Sequence, residues 1–196
     1  MDTTITPTPS SPSRTRAFIT NVLYIGLAIG LAMLIQAFVI RPFIVSGSSM
    51  DPTIKDKEYL IIDEVSYRFR EPARGEVVVF KAPPEPTKYY IKRIIGLPGE
   101  TVDIRSGVVT IFNTEHPEGL DLDEQYITHT EKDTYHGVIP PGNYFVMGDN
   151  RGNSFDSRSW GPLHEKEITG IARLRVFPFS QFGIIDSATY GVSQDQ

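Results

Sequence analysis

The stretch Val45-Ser46-Gly47-Ser48-Ser49-Met50-Asp51-Pro52-Thr53 divides the chain, because it follows a long apolar segment and precedes the first strand-like segment of a soluble domain. Ser49 is the candidate nucleophile within it. A serine hydroxyl is a weak nucleophile at neutral pH and needs a nearby base and oxyanion site. Gly47 lets the backbone approach a ligand closely, and Pro52 restricts the turn that follows. Taken alone, the stretch fits a Ser/Gly linker leaving a membrane better than a catalytic loop, so its interpretation depends on the rest of the chain.

The residues before this stretch predict a disordered tail and a membrane anchor. Residues 1–16 are dominated by Thr, Ser and Pro and predict disorder. Residues 17–40 are apolar and carry no charge, and such a run is long enough to cross a hydrocarbon core of about 30 Å as one helix. A cleaved signal peptide would have a shorter apolar region of roughly 7–15 residues. We therefore favour an uncleaved single-pass anchor over a signal peptide or a buried core helix.

The composition excludes several kinds of site. A net charge of −5 gives no support for a nucleic-acid partner. The absence of cysteine excludes disulfides and thiolate metal sites. We predict no metal and no cofactor, because the histidines lack the spacing of a zinc-binding helix; they are His116, His129, His136 and His164.

The chain after Thr53 predicts a mostly β fold. Short runs of β-branched and aromatic residues are separated by Gly and Pro, and no segment has convincing helical periodicity. The runs of consecutive apolar residues indicate strands buried on both faces or a closed sheet. The predicted strands are residues 59–62, 75–80, 89–95, 101–104, 108–112, 144–147 and 171–176. We assign residues 41–186 to a catalytic β domain with an inserted subdomain at about 101–143, and residues 187–196 to a flexible tail.

Two adjacent basic residues, Lys92 and Arg93, lie in one of these predicted strands. Because alternate residues of a strand share a face, one of the two is forced toward an apolar interior. If it is Lys92, burial lowers the pKa of its amine, and the neutral amine can act as a general base toward a serine. On this stretch alone we favour the alternative, in which both side chains run along the surface with their charged ends in water.

A dense polar loop at residues 148–161 follows another predicted strand. Asp156 and Arg158 are close enough in sequence to pair and brace the loop, which would let Ser154 present its hydroxyl to another side chain. A plain turn rich in side-chain to backbone hydrogen bonds fits the same residues equally well.

Together these segments resemble the type I signal peptidases, which are membrane-anchored serine proteases with a Ser-Lys dyad. The shared motifs stand in family order: Ser-Met-x-Pro-Thr at residues 49–53, Arg-Gly-Glu-Val-Val-Val-Phe at 74–80, Tyr-Ile-Lys-Arg-x-x-Gly-x-Pro-Gly-Glu at 90–100, and Gly-Asp-Asn-Arg-x-Asn-Ser-x-Asp-Ser-Arg at 148–158. The resemblance implies a signal-peptidase-like β fold, with Ser49 as the nucleophile and Lys92 as the general base.

The resemblance also implies roles for the surrounding residues. Ser154 would orient the lysine amine, Asp156 and Arg158 would brace its loop, and the backbone amide of Ser49 would be one oxyanion donor. Some members of the family have a serine as second donor where this chain has Gly47, so that donor is left unassigned. The walls of the substrate pocket would be Phe43, Val45, Met50, Ile54, Tyr90 and Ile91.

By the same resemblance, the partners are the signal peptides of exported preproteins and a lipid bilayer. The substrate would be cut after a small residue with another small residue two positions before it, and would bind as an added strand. The N-terminus would lie in the cytoplasm and the catalytic domain on the outer face of the plasma membrane, or of a thylakoid membrane if the cell has one. A self-cleaving repressor and a catalytically silent, membrane-tethered β module are the rival hypotheses; the anchor argues against the first, and the three candidate site residues Ser49, Lys92 and Ser154 argue against the second.

Overall fold

A computed structural model of the chain describes residues 14–38, 40–128 and 132–190. The chain divides into two compact units, Met1–Phe38 and Val39–Gln196. The first unit contains helix α1 (Arg14–Phe38), whose described side chains at residues 16–31 are all exposed. Within the described ranges, no helix meets the combined length and apolarity of a membrane span. The anchor at residues 17–40 therefore stays a prediction.

The second unit is built on two antiparallel sheets, as follows. The strands of the larger sheet are β1 (Ile40–Ile44), β2 (Tyr59–Asp63), β3 (Val77–Ala82), β4 (Glu85–Gly96), β9 (Asn143–Met147), β10 (Leu163–His164), β11 (Ile168–Phe177) and β12 (Gly183–Ile184). Their order is β1-β2-β11-β3-β4-β9-β10, and β12 pairs with β11. The smaller sheet contains β5 (Thr101–Arg105), β6 (Val108–Phe112), β7 (Leu120–Asp121) and β8 (Thr134–Val138), in the order β7-β6-β5-β8. The one-turn helix α2 (Ser157–Trp160) follows β9.

The prediction of a mostly β fold is confirmed, and each of the seven predicted strands is present. The first strand differs from expectation, because residue 40 was assigned to the helical anchor and instead begins β1. Pro42 accounts for this boundary, since the residue before a proline is disfavoured in the helical conformation. The strands β7, β10 and β12 have only two residues each, too few for a periodic pattern to identify.

The larger sheet is covered on both faces, which explains the consecutive apolar residues of β3. Val77 and Val79 belong to one buried cluster, whereas Val78 and Phe80 belong to another. Alternate residues of a strand point to opposite faces, so each cluster covers one face of the sheet. The neighbouring strand β4 pairs with β3 in register, with Lys92 opposite Val78. A charged residue in the centre of β4 is thereby placed between two apolar layers.

Candidate active site

Ser49 and Lys92, which are 43 residues apart in the chain, meet within the second unit. Lys92 Nζ lies 2.6 Å from Ser49 Oγ and also donates a hydrogen bond of 3.0 Å to the Ile91 carbonyl oxygen. Lys92 comes from β4, and Ser49 comes from the loop that connects β1 to β2. The structure thus joins the candidate nucleophile and the candidate base directly.

The loop of residues 45–53 is fixed at its start by hydrogen bonds to the residues before β2. The Val45 amide donates to the Glu58 carbonyl oxygen over 2.9 Å, and the Gly47 amide donates to Asp56 Oδ1 over 2.8 Å. Gly47 has a φ of +106°, a conformation that glycine adopts without the steric cost of a Cβ. The local sequence therefore folds into a turn that carries Ser49 back toward β4.

The two adjacent basic residues of β4, Lys92 and Arg93, are both buried, whereas the sequence required only one of them to face the interior. Lys92 is 4% exposed and Arg93 is 2% exposed. Arg93 points to the opposite face from Lys92 and donates two hydrogen bonds to Asp149, of 2.9 and 2.7 Å. A buried charge is costly unless it is paired, and Asp149 supplies that pairing, so the sheet can hold two adjacent basic residues.

Burial lowers the pKa of Lys92 to about 8. The negative charges of Asp156 and Asp149 work in the other direction and raise it, while Arg158 lowers it further. An amine with a pKa near 8 has a substantial neutral fraction at physiological pH. Lys92 can therefore accept a proton from the hydroxyl that it touches.

The loop of residues 148–158 is braced by the ion pair predicted from the sequence. Arg158 donates to both oxygens of Asp156, over 2.9 and 2.7 Å, and the Gly148 amide donates to Asp156 Oδ2 over 3.0 Å. Burial tends to raise the pKa of Asp156, but the Arg158 guanidinium holds it below its usual range. A second carboxylate, Asp133, also pairs with Arg158. Asp156 is therefore held as a carboxylate inside the protein.

Ser154 is close to the Ser49 loop, but the structure shows no hydrogen bond between its hydroxyl and Lys92. Ser154 Oγ is inaccessible to solvent, and the Ser154 side chain helps to hold the pKa of Asp156 below its usual range. A Cβ added to Gly148 would lie 2.3 Å from Ser154 Oγ and 2.4 Å from the Ser49 carbonyl oxygen. Glycine at residue 148 therefore allows the two serine-bearing loops to lie against each other.

Two asparagines that were not singled out in the sequence join the same loops. The Asn150 amide donates to the Ser49 carbonyl oxygen, and its side chain donates to the Ser48 carbonyl oxygen, both over 3.0 Å. Asn153 Nδ2 donates to Ser48 Oγ over 2.8 Å. The Gly-Asp-Asn-Arg-x-Asn pattern contains both asparagines, but nothing in it reveals that they reach a segment about 100 residues earlier.

A cavity of about 680 Å³ opens beside Ser49 and Lys92. Of the six predicted pocket residues, Phe43, Tyr90 and Ile91 line it. The other three, Val45, Met50 and Ile54, are buried in a core cluster that also contains Ile91, so their place in its walls stays a prediction. Other residues that line the cavity are Ile44, Ser46, Gly47, Ser48, Lys88, Tyr89, Asn153 and Phe155.

Comparisons with known proteins point to one family. A family model described as signal peptidase, peptidase S26, matches residues 18–177. A probable signal peptidase I-1 of Synechocystis is 37% identical over 179 residues, which cover 87% of this chain and 88% of that protein. A signal peptidase IB of Staphylococcus aureus is 33% identical over 179 residues, which cover 82% of this chain and 90% of that protein. A crystal structure of a signal peptidase I from Enterococcus faecalis aligns with a TM-score of 0.44 and 30% identity, over 52% of this chain and 97% of that one.

Proposed function

The chain belongs to the signal peptidase family, peptidase S26, and we propose that it is a membrane-anchored serine endopeptidase that cleaves signal peptides from exported preproteins after small residues. Ser49 is the nucleophile and Lys92 the general base. The observation that carries the proposal is the 2.6 Å contact between Ser49 Oγ and the buried Lys92 Nζ. A hydroxyl beside an amine of lowered pKa is the arrangement that activates a serine without histidine.

In the first half of the reaction, the neutral Lys92 amine takes the proton of Ser49 Oγ as the oxygen attacks the scissile carbonyl carbon. The carbonyl oxygen becomes an oxyanion, and the Ser49 backbone amide donates a hydrogen bond to it. The resulting lysine ammonium then gives its proton to the leaving amine as the peptide bond breaks. The products of this half are the free mature protein and an ester of the signal peptide with Ser49.

In the second half, water attacks the ester carbonyl carbon and Lys92 again removes a proton. The ester bond breaks, Ser49 recovers its proton, and the signal peptide leaves with a carboxylate. Burial of Lys92 serves both halves, because it increases the neutral fraction of the resting amine and excludes bulk water from the hydrogen bond.

Ser154, Asp156 and Arg158 are the supporting residues of this proposal. The Ser154 hydroxyl is buried and packs against Gly148, as does the Ser49 carbonyl oxygen, and this closeness to the Ser49 loop supports a role in orienting the lysine amine. The Asp156–Arg158 pair and the Gly148 amide fix the loop that carries Ser154. These residues position the dyad and do not bond to substrate.

The substrate is proposed to bind as an extended strand in the cavity beside Ser49. β1 lies at one edge of the larger sheet, and the pairing of β4 with β9 begins only at Arg93. Both Ile44 of β1 and Tyr89 of β4 line the cavity. An added strand can therefore receive backbone hydrogen bonds from these edges, and apolar walls at Phe43 and Ile91 suit small side chains.

The anchor at residues 17–40 remains part of the proposal. The helix α1 supports the anchor, because its described side chains are exposed although many of them are apolar. We expect the N-terminus in the cytoplasm and the catalytic domain on the outer face of the membrane. The full chain should stay with the membrane pellet after alkaline extraction, and its release into the supernatant would contradict the anchor.

The cleavage reaction is tested with a preprotein whose signal peptide ends in Ala-x-Ala. The purified full chain in detergent or lipid should release the mature protein, with the new N-terminus directly after the second alanine. A preprotein with phenylalanine in place of that alanine should be cut far more slowly, because the pocket takes small side chains. Cleavage at unrelated positions, or none at all, would overturn the proposed function and favour a module that only binds partners.

A further inference from the structure

Two buried ion pairs lie side by side on the face of β4 opposite Ser49. The first is Arg93–Asp149, and the second is formed by Arg151 and Glu124, with a hydrogen bond of 2.7 Å from Arg151 Nη1 to Glu124 Oε2. All four side chains are almost inaccessible to solvent. Asp149 and Arg151 both belong to the 148–158 loop, so these two ion pairs fix that loop on the side away from Ser49.

Tyr126 connects the two pairs. Its ring lies 4.2 Å from the guanidinium carbon of Arg93, and its hydroxyl donates to Glu124 Oε1 over 2.7 Å. A cation over an aromatic ring is stabilised, the more so when the contact is desolvated. One side chain, from the segment between β7 and β8, therefore contacts both buried pairs.

Tyr190 completes the chain of contacts. Its hydroxyl lies 2.8 Å from the Tyr126 hydroxyl, and the two rings meet edge to face at 6.3 Å. A phenol has one proton to donate, and that of Tyr126 is used toward Glu124, so Tyr190 is the donor in this bond. The hydrogen bonds thus run in one direction, from Tyr190 through Tyr126 to Glu124, and chains of this kind reinforce one another.

The backbone two residues before Tyr190 shares a hydrogen-bond acceptor with Arg93. The Ala188 amide donates to the Gly75 carbonyl oxygen over 3.1 Å, and Arg93 Nη1 donates to the same oxygen over 2.8 Å. A Cβ at Gly75 would lie 2.0 Å from the Ala188 carbonyl oxygen, so the two segments are in close contact. Residues 187–190 were assigned to a flexible tail by the sequence, yet they pack on the catalytic domain.

We propose, on the basis of the proposed function, that Tyr126 and Tyr190 are positioning residues for the reaction of Ser49 with Lys92. Arg93 follows Lys92 directly in β4, and Asp149 follows Gly148, against which the Ser154 hydroxyl packs. The two tyrosines fix the base strand and the 148–158 loop relative to each other from the face that the substrate does not reach. The C-terminal segment is thereby part of the machinery that sets the geometry of the dyad.

The test compares Tyr190→Phe, Tyr190→Ala and Tyr126→Phe in the full chain, with kcat and KM measured on one preprotein. Tyr190→Phe should lower kcat about 2- to 10-fold, since one hydrogen bond of the network is lost. Tyr190→Ala should lower it further, because the ring contact is lost as well, so phenylalanine partly rescues the alanine variant. KM should stay within about 2-fold in each variant, because the interactions lost are remote from the bound substrate.

A matched control is Phe69→Ala, which removes an aromatic ring that is 85% exposed and should leave both constants unchanged. The double variant Tyr126→Phe with Tyr190→Phe should be no slower than Tyr126→Phe alone, since the Tyr190 hydroxyl then has already lost its acceptor. Thermal unfolding is measured on each protein, because loss of folded enzyme would also lower the apparent kcat. The values of kcat are compared at a temperature well below every unfolding midpoint, where such a loss would not produce the order Tyr, Phe, Ala.

The informative case is the one in which the wild type cleaves and Ser49→Ala does not. In that case, an unchanged kcat in Tyr190→Ala would overturn the positioning role alone. Multiplicative losses in the double variant would also contradict it. If Ser49→Ala cleaves as the wild type does, the proposed function fails and the positioning role fails with it.

Discussion

Replacement of Lys92 by methionine is expected to lower kcat/KM for signal-peptide cleavage by about 10³- to 10⁴-fold. Methionine has a similar length and fills the same buried site, but it has no amine to remove the Ser49 proton. The folded state should not be weakened, because an apolar side chain replaces a polar group that burial disfavours. Preprotein cleavage and thermal unfolding, measured on the same preparation, separate lost chemistry from lost folding.

The matched control for this variant is Lys81→Met. Lys81 is an exposed lysine on β3, the strand next to Lys92, so the same substitution there should change kcat/KM little. Ser49→Ala should lose as much activity as Lys92→Met, since each removes one member of the dyad. Cleavage by Lys92→Met within about tenfold of the wild type would be incompatible with its role as general base.

Gly148→Ala is expected to lower kcat/KM by about 10²-fold or more, although it adds only one methyl group. The new Cβ would lie 2.4 Å from the Ser49 carbonyl oxygen and 2.3 Å from Ser154 Oγ. The first of these atoms is backbone and cannot rotate away, so the 45–53 and 148–158 loops must move apart. A displacement of about 1 Å between reacting groups is sufficient for a loss of that size.

Gly183→Ala is the control for this substitution, because a Cβ at Gly183 would meet no atom within 4 Å. It should keep wild-type kcat/KM. Activity of Gly148→Ala equal to that of Gly183→Ala would mean that close contact of the two loops is not needed for the reaction.

The β strands could be predicted because their signal is local. Alternation and β-branched composition identify a strand within five or six residues, and the two-sided burial of β3 is already visible as a run of apolar residues. The position of Ser49 beside Lys92 has no local signal. It depends on a turn at Gly47 and on the pairing of β3 with β4, and the family motifs were needed to connect the two residues.

The pocket walls have no local signal in the sequence. Val45, Met50 and Ile54 were candidates for the pocket wall because the family resemblance implies them. All three side chains are buried in one core cluster with Ile91, and of these four only Ile91 lines the cavity, together with Phe43 from the edge strand. A sequence does not reveal which side of an irregular loop faces the interior.

Long-range ion pairs were equally hidden. The partner of Arg93 is 56 residues away, and the partner of Arg151 is 27 residues away in a stretch with weak periodicity. Because the sequence does not show that Asp149 pairs with Arg93, it predicted that only one of the two adjacent basic residues of β4 faces the interior. The packing of Tyr190 was missed for the same reason, because a polar C-terminal segment gives no indication of a buried contact for its single aromatic residue.

The central claim is that neutral Lys92 activates Ser49, and the pH dependence of kcat/KM tests it most directly. Burial lowers the pKa of Lys92 to about 8, and the base works only when deprotonated. The value of kcat/KM should therefore be constant above that pKa and fall about tenfold per pH unit below it. An acidic limb near pH 8 is the predicted result, whereas a rate that stays flat from pH 9 to about pH 6 would contradict a lysine base.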